Sequence, residues 1–222
     1  METPGYTLCK YTISPRRAYV ILRFMSRLSL IDIAVLDLQP VNIAVAEADC
    51  VCLTGPSGAG KSLLLRAVAD LIPHLGDASL DDSLCSTMKP SLWRRQVGYL
   101  PSESHWWSDR VGDHFSQPHA MAFQQLGFDT DVLNWEVSRL STGEKQRLAL
   151  LRLLTNQPRA LLLDEPTASL DAQGVTRVET MLGNYQQQHQ VPLLWVSHDA
   201  EQVERVAHRV FELQQGQVRE VA

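Results

Sequence analysis

Gly55-Pro56-Ser57-Gly58-Ala59-Gly60-Lys61-Ser62 is the stretch on which the reading of this 222-residue chain turns. It follows the apolar run Cys50–Thr54 and opens onto Ser62–Leu71, whose leucines and alanines recur at helical spacing, so the local order is strand, glycine-rich turn, helix. Glycines so placed let successive backbone N–H groups curl around phosphate oxygens at a helix N-terminus. Lys61 can then bridge the β- and γ-phosphates of a nucleotide, and the Ser62 hydroxyl can ligate Mg2+. A glycine-rich turn without a ligand is the bland alternative, and the position between strand and helix weighs against it.

Downstream, Leu161-Leu162-Leu163-Asp164-Glu165 ends an apolar run in two carboxylates. Open α/β sheets bind ligands outside the carboxyl ends of their strands. Asp164 therefore suits a magnesium shell, and Glu165, one residue on, suits the base that orients and deprotonates a water attacking a γ-phosphate. His198 ends the next apolar run, Leu194-Trp195-Val196-Ser197, and can hydrogen-bond a transferring phosphate if the two strands are neighbours. Taken alone, such residues more often form solvated strand ends; the upstream loop is what turns them toward chemistry.

Further strands are expected at Leu28–Val35, Val41–Ala46 and Val97–Leu100, and a hairpin from Val210–Leu213 and Val218–Val221. Helices are expected at Gly143–Leu154 and Gly174–Leu182, and from a capping box of Asp199 and Gln202 to His208. Ser104 to about Ser138 reads as a variable, partly helical insert. Residues 1–24 are poorly patterned and read as a dispensable extension, with an over-long reading of the start codon as its origin.

Composition sets the outer bounds. A chain 45% hydrophobic and 20% charged is ordinary globular material for one α/β domain. A net charge of −5 argues against a standing basic face, so no nucleic-acid partner is expected. Cys9, Cys50, Cys52 and Cys85 lack C-x-x-C spacing, and Cys50 and Cys52 read as small core residues. His105, His114 and His119 lack ligand spacing as well. No apolar run reaches the roughly 18 residues that span a bilayer, and Arg23 interrupts the short apolar segment after Arg16-Arg17. Any membrane role must come through a partner.

GPSGAGKS at 55–62, LSTGE at Leu140–Glu144, LLLDEPTASLD at Leu161–Asp171 and WVSHD at Trp195–Asp199 resemble, in order and approximate spacing, the Walker A, signature, Walker B with D-loop, and H-loop segments of the ABC ATPase family. The resemblance covers about Met25 to the C-terminus. It implies an α/β P-loop NTPase fold of the ABC-ATPase type, with a mostly parallel core sheet, an N-terminal antiparallel β subdomain and a small helical subdomain. The ATPase domain would occupy residues 25–222, with the helical insert at about 104–140. The implied activity is Mg-dependent ATP hydrolysis, with Glu165, His198 and Lys61 catalytic. Gly55, Pro56, Ser57, Gly58, Ala59, Gly60, Lys61 and Ser62, together with Ser141, Gly143 and Asp171, would bind ATP, and Ser62 and Asp164 the metal. Also implied is a head-to-tail pair with a second ATPase subunit, identical or not, in which ATP on Lys61 and Ser62 of one copy is covered by Ser141 and Gly143 of the other. Locally, Ser141 or Thr142 serves equally well as an ordinary helix N-cap. A separately encoded transmembrane permease subunit would hold the chain at the cytoplasmic face of the membrane.

GEKQRLALLR, LLLDEPTASLD and LLWVSHD are similar to small ABC exporter ATPase subunits, including the proposed iron-export type. The alternative within the family is a soluble ATPase of translation, DNA repair or chromosome maintenance. Such relatives usually carry a second cassette, coiled-coil arms, zinc modules or basic segments, which this sequence lacks. A P-loop kinase would not need LSTGE.

The pattern departs from the family in places. Thr142 replaces the first glycine of the signature pair. Ser102, then Glu103, follow Pro101 where the family has its Q-loop glutamine; Ser102 could ligate the metal or bond it through water, and Glu103 could substitute as an oxygen ligand. Trp106 and Trp107, next along, cannot both be buried on one helix face, so one is expected to line a surface; the resemblance implies that this region belongs to the groove that grips a membrane subunit, where a tryptophan anchor is expected. The aromatic that stacks on adenine has no counterpart between Ile33 and Val41, leaving Tyr6, Tyr11 or Tyr19 as substitutes. Weak base selectivity follows: kcat/KM for GTP is expected to approach that for ATP, and a GTP/ATP ratio far below one counts against it.

Overall fold

The computed structural model describes residues 26–116 and 120–222. The expectations attached to residues 1–24, to Cys9, to Tyr6, Tyr11 and Tyr19, and to His119 lie outside them.

In chain order the elements are β1 (Ser26–Ala34), β2 (Val41–Ala46), β3 (Cys50–Thr54), α1 (Lys61–Val68), β4 (Leu75–Leu80), β5 (Ser83–Leu84), α2 (Pro90–Gln96), β6 (Val97–Leu100), α3 (Ala120–Gln125), α4 (Thr142–Thr155), β7 (Ala160–Asp164), α5 (Ala172–His189), β8 (Leu193–Val196), α6 (Ala200–Val206), β9 (Arg209–Gln214) and β10 (Gln217–Glu220). Short 3-10 turns at Val111–His114, Thr130–Asn134 and Val137–Arg139 surround α3 and make the predicted insert a small helical unit. An antiparallel sheet runs β2-β1-β4-β5, and a second sheet runs β10-β9-β3-β8-β7-β6. In the second sheet β9, β3, β8, β7 and β6 are parallel, and only the β9–β10 hairpin is antiparallel.

The continuous apolar runs of β3, β7 and β8 are explained by burial on both faces. Val51, Leu53, Ala160, Leu162, Leu194 and Val196 face one core, shared with α1 and the antiparallel sheet. Cys50, Cys52, Leu161, Leu163, Leu193 and Trp195 face the other, shared with α4, α5 and the helical unit. Period-2 alternation thus sends every other residue to a different core, and Cys50 and Cys52 are core residues, as expected.

β4, β5 and α2 were not foreseen in the sequence. β4, Leu-Gly-Asp-Ala-Ser-Leu, is poor in strand formers and owes its state to antiparallel pairing with β1. α2 is seven residues long and starts with Pro90 at its first turn, too short for a periodic signal. Its Trp93 is fully buried and its indole N–H donates to the Val68 carbonyl at 2.9 Å, satisfying one of the free carbonyls at the end of α1. Arg94 adds a bond to the Asp70 carbonyl (2.8 Å). α2 is therefore the plug that closes the helix following the P-loop. Trp93→Ala is expected to cost about 3–5 kcal/mol in denaturant unfolding, against about 1–2 kcal/mol for Trp93→Phe, which keeps most of the packing and loses the hydrogen bond.

Candidate functional site

The loop between β3 and α1 is shaped from outside as well as from within. Gly55 has φ 131°, and a Cβ there would overlap the Leu213 carbonyl oxygen of β9, so only glycine fits. Lys61, buried at the first position of α1, points its Nζ back to the carbonyls of Gly55 and Pro56, each at 2.8 Å. Its charge is thereby held at the mouth of the glycine turn.

Ser62 and Asp164 meet across 102 positions of sequence: the Ser62 hydroxyl donates to Asp164 Oδ1 at 3.0 Å. Tyr99, on β6, donates its hydroxyl to Asp164 Oδ2 at 3.1 Å. Burial, in first place, pushes the Tyr99 phenol above its ordinary range, so it stays protonated and a donor. Asp164 is only 1% exposed, and among the described residues no cationic side chain comes within ion-pair distance of it. A buried carboxylate served by neutral donors, with a hydroxyl oxygen beside it, is the donor set of a hard divalent cation.

Glu165 follows at once. Its N–H continues the ladder to the Val196 carbonyl (3.1 Å), but its φ is 49°, a left-handed conformation that ends the strand and re-aims the side chain. Glu165 Oε2 lies 3.3 Å from His198 Nδ1. The two are brought together because β7 and β8 are hydrogen-bonded neighbours, with Asp164 opposite Val196. His198 is exposed over 66% of its side chain, so the pair faces open space above the sheet edge.

A second group lies on the helical side. Ser141 caps α4 in a full capping box with Glu144: its N–H and hydroxyl reach Glu144 Oε2 at 2.9 and 2.8 Å, and its Oγ accepts the Glu144 N–H at 3.3 Å. Gly143 lies against Ser169 and Leu170, and a Cβ there would come within 2.8 Å of the Ser169 carbonyl. Asp171 caps α5, accepting from Gly174 N–H at 2.7 Å. No hydrogen bond or ion pair among the described residues joins Ser141, Gly143 or Asp171 to Lys61 or Ser62. Ser102 is exposed and makes no side-chain hydrogen bond among the described residues, and the structure does not join it to Ser62 or Asp164. Between Ile33 and Val41 the exposed large hydrophobic side chain is Leu36, 83% accessible.

The tryptophan pair lies in an irregular segment, not on a helix. Both rings stack on the Arg152 guanidinium, with centroids 4.7 and 4.6 Å from its carbon, and both meet the His114 ring edge-on. His114 Nε2 accepts the N–H groups of Trp107 and Ser108, which makes it a structural histidine. Trp106 packs on the core, whereas Trp107 is 71% exposed. Trp107, His114, Arg152 and Tyr99 line a groove of about 420 Å³.

Sequence reasoning missed Gln202. The expected capping box on α6 is half present: Asp199 Oδ1 accepts the Gln202 N–H at 3.1 Å, but the Gln202 side chain turns inward. It is buried and bonds Thr167 Oγ1 (2.8 Å), the Ser197 hydroxyl (3.0 Å) and Glu179 (2.9 Å), which is itself paired with Arg205. The segments carrying Glu165 and His198 are thus tied together behind the site.

A family model described as ABC transporter matches residues 38–168. The probable iron export ATP-binding protein FetA of Escherichia coli (strain K12) is 34% identical over 190 residues, spanning 80% of this chain and 84% of that protein. The aliphatic sulfonates import ATP-binding protein SsuB 3 of Nocardia farcinica (strain IFM 10152) is 32% identical over 186 residues, spanning 82% and 73%. A solved ATP binding subunit of an ABC transporter superposes with a TM-score of 0.76 over 89% of this chain and 90% of that one, at 20% identity, a likeness of fold. Among the described residues no helix is long and apolar enough to cross a membrane.

Gln202→Leu would leave Thr167, Ser197 and Glu179 short of a buried partner. A loss of about 1–3 kcal/mol in urea unfolding is expected, and an unchanged midpoint would show that the network holds nothing.

Proposed function

The chain belongs to the ABC transporter ATP-binding family, and from that premise we propose how its residues divide the work of an ATP-hydrolysing transporter subunit. The backbone N–H groups of Ser57, Gly58 and Gly60 and the Lys61 ammonium hold the phosphates of ATP. Ser62 and Asp164 would hold Mg2+, which would supply neutralisation of phosphate charge. Glu165 takes the proton from the attacking water, and His198, beside that carboxylate, donates its ring N–H toward the phosphoryl group being transferred. The observation that carries this division is the convergence, at one sheet edge, of the Ser62–Asp164 pair at 3.0 Å and the Glu165–His198 pair at 3.3 Å.

Ser141 and Gly143 open α4, where the helix dipole and the first-turn N–H groups outside the capping box favour an anion. They serve the nucleotide of a second ATPase subunit, head to tail, with Asp171 at the same junction. That arrangement agrees with their separation from this chain's own Lys61. Thr142 leaves the serine and the second glycine in place.

A transmembrane permease subunit docks on the groove bordered by Trp107 and keeps the chain at the cytoplasmic face of the membrane. An exposed tryptophan braced by Arg152 and His114 supports this, since rigid aromatic rings serve as interface anchors. The two relatives named above are an exporter and an importer by description, so the shared parts of the chain serve ATP turnover in either direction.

In Glu165→Gln, ATP binding should persist while hydrolysis by the purified chain falls by about 10²-fold or more. A variant that hydrolyses ATP at close to the wild-type rate would remove Glu165 from the role of base.

A further inference from the structure

Asp164 is held at both of its oxygens, and by different parts of the fold. Ser62, at the start of α1, donates to Oδ1 (3.0 Å), and Tyr99, on β6, donates to Oδ2 (3.1 Å). The strand register makes the second bond possible: β6 runs parallel to β7 with Tyr99 opposite Leu162 and Leu100 opposite Leu163, which carries the phenol along the sheet toward the end of β7. Arg66, one turn after Ser62 on α1, donates Nε–H to the same phenol oxygen at 3.4 Å. An N–H donated to that oxygen directs the phenol's own proton away from Arg66 and onto the carboxylate. Asp164 is buried, with 1% of its surface exposed.

A carboxylate gripped at one oxygen can rotate about its last torsion and present either oxygen to a cation; gripped at both, it presents one. We propose that Tyr99 is a positioning residue for the metal-binding carboxylate, its phenol holding Asp164 Oδ2 so that Oδ1 stays beside Ser62. Arg66 orients that phenol. The inference rests on the assignment of Ser62 and Asp164 as the metal ligands. It adds a partner outside the ligand pair, of the kind whose loss commonly weakens metal binding by about 10- to 100-fold.

The test uses the full chain, Mn2+ as a paramagnetic probe and the slowly hydrolysed analogue AMP-PNP. Tyr99→Phe keeps the ring and its packing and removes only the hydroxyl. Mn2+ retention on the protein–AMP-PNP complex, read by electron paramagnetic resonance, is expected to weaken about tenfold, and the Mg2+ concentration for half-maximal ATPase to rise by a similar factor. Binding of a fluorescent ATP analogue in EDTA should stay within about twofold of wild type, because the phenol does not touch the P-loop. Unchanged Mn2+ affinity overturns the proposal, as does a loss of metal-free nucleotide binding in the same proportion, which marks a general structural role. Asp164→Asn separates the two levels: if it leaves Mn2+ affinity intact, the ligand assignment itself fails; if it abolishes Mn2+ binding while Tyr99→Phe does not weaken it, only the role of Tyr99 fails.

Discussion

Burial of β3, β8 and β7 on both faces is the constraint from which the rest follows. Residues on these strands alternate between two separate cores, so a slip of one position would exchange the contents of both. Register is therefore fixed for the three strands together, and so is the level at which each releases the chain. Because the strands are parallel, those release points share one edge. Lys61 and Ser62 come off β3 through the glycine turn, Asp164 and Glu165 end β7, and His198 follows β8. Side chains distant in sequence become neighbours at that edge without any loop having to seek them out.

At the edge itself the backbone leaves ordinary geometry. Gly55 and Glu165 both adopt positive φ, one to pass beneath the Leu213 carbonyl and the other to turn a carboxylate toward His198. Such conformations persist only where the surroundings over-determine them. Here the support is three groups of polar contacts: Gln202 joins the segments after β7 and β8, Tyr99 and Ser62 grip Asp164, and Gln146 of α4 donates to the Pro101 carbonyl beyond β6 at 2.9 Å. That last bond links the helix opened by Ser141 to the segment that carries Ser102.

The sequence made plain the parts whose side chains must be of one kind. The glycine turn, the apolar strands with their terminal carboxylates and histidine, the helix after LSTGE and the final hairpin all lie close to where their residues suggest. Less legible were elements held by something outside themselves. β4 is a strand because β1 runs beside it, and α2 is a helix because Trp93 plugs the end of α1. α5 extends from Ala172 to His189, well beyond the expected Leu182, since Gly183 and a run of glutamines hide its period. Gln202 misled for a further reason: spacing says that a side chain can reach a cap, not that it will, and two buried hydroxyls and the Glu179 carboxylate offered it more than the helix end did.

The contact between Gly55 and Leu213 has a temporal meaning. The phosphate loop lies in the first third of the chain, yet the carbonyl that moulds it belongs to β9, which pairs with β3 in parallel across more than 150 positions of sequence. Contacts of such separation form late, after the intervening chain has been made and ordered. A ribosome delivering this protein thus completes GPSGAGKS long before it delivers the strand that shapes it. Nucleotide in the cell can stabilise the finished cassette, but it finds no formed cradle in the nascent one.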